Sequence, residues 1–161
     1  MFKTNDSFGK LTGLFILVVI VSLCSTTATG WSQEEGVGLG VILGEPTGVS
    51  FKTWLSKTQA IDAAAAWSFG NKSAFHLHAD YLLHSWSLIR VDRSNIPIYY
   101  GIGARLKFED DNRFGVRFPV GITVFIREAP IDFFLEIVPI LNLAPATDFD
   151  LNAAIGARYY F

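Results

Sequence analysis

The stretch FHLHADYLLH, residues 75–84, carries all three histidines of the 161-residue chain. On a strand, His76, His78 and Asp80 fall at i, i+2 and i+4 and share one face. Two imidazoles beside a carboxylate suit zinc or copper. Three such neighbours span about 13 Å along a strand, so a single ion needs help from adjacent strands. The competing reading is a polar, hydrogen-bonded face on which each imidazole takes its charge from its partners. A hairpin across GNKS would also set Ser68 beside His76, which sketches a nucleophile and a base. No acid completes a triad there, and no catalytic residue is assigned.

Strands must position these residues. After Gly36 no segment sustains helical spacing, whereas alternating runs recur, each ended by turn-forming residues such as GEPTG, SKT, GNKS, EDDN, REAP and NLAPATD. Eight runs result: 36–44, 48–55, 59–69, 74–84, 98–108, 113–125, 131–141 and 150–161. Sorting each by parity separates two faces, because successive side chains of a strand point to opposite sides. One face is apolar throughout, from Val37, Leu39, Val41 and Leu43 in the first run, through Phe114, Val116, Phe118, Val120 and Ile122 in the sixth, to Tyr159 and Phe161 in the last. The other is small or ionic, with glycines set among Lys52, Asp62, His76, His78, Asp80, Arg105, Arg117, Asp132, Glu136 and Arg158.

Such alternation fits two opposite closed sheets, one with the apolar face inside and one with it outside. Eight strands enclose an interior just wide enough for side chains to fill, and about forty apolar residues, many of them Phe, Trp and Tyr, would overfill it. The apolar face is therefore expected outside, with the aromatics gathered near strand ends. The ionic face then fills the middle. If the turns set register, Asp132 lies opposite Arg158, Arg117 lies diagonal to Glu136, and Arg105 sits near Arg117, so that Asp80 or Glu136 must offset their repulsion. Unpaired charges in so confined a space are costly, and a salt-bridged network of Asp80, Arg105, Arg117, Asp132, Glu136 and Arg158 is expected to plug the interior.

The first thirty residues read differently. MFKTNDSFGK carries Lys3 and Lys10, LTGLFILVVIVSLC is an apolar run, and STTATG supplies small residues, the order of a cleaved secretory signal. The apolar run, about fourteen residues, is shorter than the roughly 20 a membrane-spanning helix needs. Residues 1–30 are thus expected to be removed, 31–35 to form a short lead, and 36–161 to form one domain; the only cysteine, Cys24, leaves with the signal. A net charge of −2 with no basic run gives no reason to expect a nucleic-acid partner.

Signal, eight alternating runs, polar interior and the closing residues Tyr159, Tyr160 and Phe161 together resemble the small eight-stranded outer-membrane barrels of Gram-negative bacteria, the OmpA-transmembrane-domain and OmpX type. In those families the last strand ends on Phe with an aromatic two residues before it, an ending recognised by the barrel-assembly machinery; Phe161 and Tyr159 match. The resemblance implies an all-β, eight-stranded antiparallel up-and-down transmembrane β-barrel, monomeric, without a cofactor, surrounded by outer-membrane lipids. It also implies that both chain ends lie in the periplasm, on the side of the usually short turns. The segment SWSLIRVDRSNIP, 85–97, falls there and is long. Either a strand is miscounted or the chain carries an extra lobe on that side. The expected role is structural or interaction-based; the alternatives are a lipid A-modifying enzyme, a narrow channel or a metal-binding barrel.

Overall fold

The computed structural model describes residues 36–68, 74–91, 94–109, 112–126 and 128–161. The expected signal and lead, 1–35, lie outside the described residues. Among the described residues nine strands follow one another: β1 (Val37–Glu45), β2 (Thr47–Ser56), β3 (Gln59–Ser68), β4 (Ala74–Val91), β5 (Ser94–Phe108), β6 (Arg113–Arg117), β7 (Val120–Ile126), β8 (Ile131–Ala144) and β9 (Asp148–Tyr160). No helix occurs among the described residues. All pairings are antiparallel, in the order β4-β3-β2-β1-β9-β8-β6-β5-β7, and β4 pairs with β5 and β8 with β7 as well. These added pairings close the sheet into a ring in which β6 and β7 share one position, so the ring is eight strands around.

Two expectations are corrected. The single run 113–125 is two strands, parted at Phe118 and Pro119. The break slips no register: Arg117 faces Ile140 and Val120 faces Ile137 on β8, in step with each other. It marks Pro119, whose nitrogen has no hydrogen to give a ladder. The segment 85–97 is no loop, because β4 and β5 run on past their neighbours as a paired hairpin in which Arg90 faces Asn95 and Val91 faces Ser94. Both possibilities left open are met in part: the described residues form nine strands where eight runs were counted, and the segment itself extends two of them. A register shift between Ser85 and Ile89 separates this hairpin from the ring.

Closure rests on β1 and β9, paired from Gly38 with Tyr160 to Glu45 with Ala153. The Phe161 N–H donates to the Val37 carbonyl at 3.0 Å, so the ladder reaches the last residue. The turn from β1 into β2 needs Gly44, whose φ of 138° is open to few other residues, and the Thr47 hydroxyl donates back to the Gly44 carbonyl at 3.0 Å.

Burial is inverted relative to a water-soluble sheet protein. Val41, Leu43, Val49, Ile102, Ile137 and Ile155 are each exposed over more than half their surface, while Lys52, Arg105, Arg117, Asp132 and Arg158 are buried. Parity produces this once the ring closes, since every second residue must then face inward. The interior is not purely ionic: Ile42, Leu82, Tyr99, Phe134 and Ala154 pack together inside it.

A Cβ added at Gly40 would lie 2.7 Å from the Arg158 Cα, against backbone that cannot swing away. Gly40→Val is expected to lose about 1–3 kcal/mol or more through overpacking at the closing ladder. An unchanged urea midpoint would show that β1 does not close on β9.

Candidate functional site

The middle of the ring holds two linked sets of charges on its inward positions. In one, Arg158 on β9 donates through Nε to Ser50 Oγ at 2.8 Å and through Nη2 to the Asp62 carboxylate, while its Nη1 lies 3.7 Å from Asp132. The Tyr160 hydroxyl donates to Asp132 at 2.7 Å, and the Arg158 guanidinium stacks 3.8 Å over the Phe134 ring. In the other, Arg117 Nε donates to both oxygens of Asp80, at 3.0 and 3.1 Å, and Nη2 reaches within 3.7 Å of Glu136. The Tyr99 hydroxyl donates to the second oxygen of Glu136 at 3.0 Å. Each of these four carboxylates thus has an arginine and, in two cases, a phenol, which is what burial of charge demands.

Toward the end where β1 begins and β9 stops, the filling becomes aromatic. Trp54, Ala60 and Tyr160 form a buried cluster against which Trp86 and Phe125 pack. Trp86 sits within the register shift of β4; its Nε1 donates to the Lys57 carbonyl at 2.9 Å and its ring stacks on Phe125 at 5.4 Å. Lys52, fully buried, lies 4.5 Å over the Trp54 ring and 2.9 Å from His84 Nε2. Its amine thus lies against π-faces and an imidazole nitrogen.

The opposite end is hydrophilic. Arg105 Nη2 donates to Asn142 at 2.6 Å and to Asp150 at 2.7 Å. Arg113 pairs with Asp148 at 3.0 Å and with Glu109 at 2.7 Å, and Lys107 reaches Glu109 at 3.0 Å. In the turn after β5, burial pushes the Glu109 carboxyl up, but the Lys107 hydrogen bond and charge together with Arg113 outweigh it and hold the group below the ordinary value.

The expected charge residues are brought together in two of the anticipated ways. Asp132 does face Arg158 in register, and Arg117 does reach Glu136 diagonally. Arg105 departs from expectation: it lies two residues from Arg117 along the β5–β6 ladder, but Asp150 and Asn142 offset it, not Asp80 or Glu136. Ser68 faces Ala74, and His76 faces Ala66, so the register leaves Ser68 on the face of His76 but two residues along from the position directly opposite it. His76, His78 and Asp80 all point inward, in line along β4, with Asp80 bound by Arg117. Among the described residues no group of three or more His, Cys, Asp or Glu side chains is placed to hold a metal ion. Sequence reasoning missed Tyr99, Tyr160, Lys52 and Asp62 as members of the network. Parity could have found Tyr160, which shares a face with Arg158, but nothing local shows which charge it meets.

Comparison of the chain with protein-family models, with curated proteins and with solved structures finds no match.

Two outcomes follow from this geometry. Asp62→Leu strands Arg158 beside Lys52 and should cost about 3–5 kcal/mol, whereas Asp62→Leu with Arg158→Met should recover most of it; urea midpoints of the two variants decide. Because the folded Glu109 carboxyl is held low, its contribution is present above the unfolded value of about 4.3 and is lost as pH falls through the lower folded value. Glu109→Gln should therefore flatten the stability profile in that acid window and leave its shape at higher pH unchanged.

Proposed function

We propose that this chain is an integral outer-membrane β-barrel protein of a Gram-negative bacterium, with a structural or interaction role and a lumen plugged by its ion pairs. The observation that carries this reading is the inverted burial: aliphatic and aromatic side chains cover the outside of a closed ring while arginines and carboxylates fill it. Water would penalise such an outer face, whereas hydrocarbon suits it. A closed ladder also suits hydrocarbon, where each unpaired backbone group costs several kcal/mol.

The aromatic rings support the same reading. Trp67, Phe75 and Phe108 form a row at one level, with centroids 5.2 and 6.0 Å apart. Tyr159 and Phe161 meet edge to face at 5.0 Å near the other end, with Phe133 diagonally across the β8–β9 ladder from Tyr159. Along β5, Tyr100 and Phe108 are about 26 Å apart, which strand tilt reduces to about 20 Å, near the thickness of an outer-membrane apolar band. In this reading residues 1–30 are the secretory signal, outer-membrane lipids are the standing partner, the barrel-assembly machinery engages Tyr159 and Phe161, and the protein is a monomer. The ion pairs tie strands that are not neighbours, such as β9 to β3 and β6 to β4, and leave the interior a poor path for solutes.

Outer membranes from cells producing the chain should contain it, and unboiled samples should run at a different apparent mass from boiled ones on a detergent gel. Recovery in the soluble fraction, or migration indifferent to boiling, would refute the assignment. Purified protein in planar bilayers is expected to give no steady conductance.

A further inference from the structure

Among the described residues, the wall of the ring lacks ladder bonds where β6 gives way to β7. The Gly101 N–H donates to the Pro119 carbonyl at 2.9 Å, which marks a hydrogen-bonded pair of the β5 ladder. The return bond needs an N–H on Pro119, and proline has none. On the other side of the same position the Phe118 N–H donates to the Pro139 carbonyl at 2.9 Å, and that return bond is lost for the same reason. Two prolines on adjacent strands thus remove one ladder bond to each flank of the β6–β7 position. The carbonyls of Gly101 and Phe118 lose their ladder donors, although the pairings on either side of Phe118 and Pro119 keep one register.

Behind this gap, side chains take over. Tyr99, Gly121 and Glu136 stand in one row across β5, β7 and β8. A Cβ at Gly121 would lie 2.5 Å from the Tyr99 hydroxyl oxygen, so the phenol lies across the glycine and reaches Glu136 beyond it at 3.0 Å. Glu136 in turn faces Arg117 of β6 at 3.7 Å, and Arg117 holds Asp80 of β4. The chain Tyr99–Glu136–Arg117–Asp80 therefore ties together the strands that flank the gap.

The geometry points to a latched seam: the ring opens sideways at β6–β7, and the Tyr99–Glu136 hydrogen bond, passing over Gly121, keeps it shut. Opening there joins the interior to the surroundings through the wall and not through either end. The inference holds for whatever medium surrounds the outer face, so it stands or falls separately from the membrane assignment.

Amide hydrogen exchange on the folded full chain in detergent tests it. In the wild-type protein, amides of β6, β7 and the facing parts of β5 and β8 should exchange on the order of tenfold faster than those of the β1–β9 pairing, the ratio that two missing backbone hydrogen bonds imply. Tyr99→Phe should speed exchange at the seam alone. Pro119→Val with Pro139→Val should slow it to the rate of the rest of the ring and blunt the effect of Tyr99→Phe. Uniform exchange in the wild type, an even effect of Tyr99→Phe on every strand, or indifference to the proline replacements would each overturn the proposal. Should the valine variants not fold, Ile102→Cys with Phe118→Cys in a Cys24→Ser background places two thiols directly across the seam. Oxidation must then slow exchange at β6–β7 and reduction restore it, and no difference between the two states overturns the latch.

Discussion

The pairing of β1 with β9 is the constraint on which the rest of the molecule depends. A flat sheet of the same strands would offer both faces to one medium, and alternation would have no inside to select. Closing the ladder from Gly38–Tyr160 to Glu45–Ala153 converts parity into topology. Residues of one parity then face a narrow interior and those of the other face out, with no intermediate choice. Gly40 and Gly44 belong to this closure: the first lets backbone approach backbone, and the second supplies the φ that sends the chain into β2.

An interior filled by side chains of this kind must satisfy each charge from within. Removing a partner leaves an ion with neither water nor counter-charge, so the energetic weight of the network lies in its completeness more than in any single bond. The division along the axis follows the same logic. Ion pairs occupy the centre, an aromatic cluster built on Trp54 and Trp86 covers the end where β1 begins and β9 stops, and pairs involving Arg105 and Arg113 lie toward the other. Lys52 sits where the first two meet, its ammonium shared between rings and His84.

The gap at Pro119 and Pro139 belongs to this balance. The ladder lacks a bond on each flank there, and it is there that a tyrosine, a glutamate and an arginine reach over the intervening strand.

The sequence by itself determined which residues share a face, that the ionic face lies inside, and which pairs meet across a single hairpin. Asp132 opposite Arg158 is of that kind, because a period of two and one short turn are local properties. The break at Pro119 was also visible in the sequence as a proline in a strand run, although its consequence for two ladders was not. Only the tertiary structure decided that Arg158 binds Asp62 across β1 and β2, that Tyr99 passes over Gly121 to Glu136, that Arg105 turns to Asp150, and that Trp86 packs on the Trp54 cluster. Those contacts join strands that are not neighbours in the ladder. Their partners are chosen by how far the closed strands stagger past one another, a quantity that no single run of residues contains.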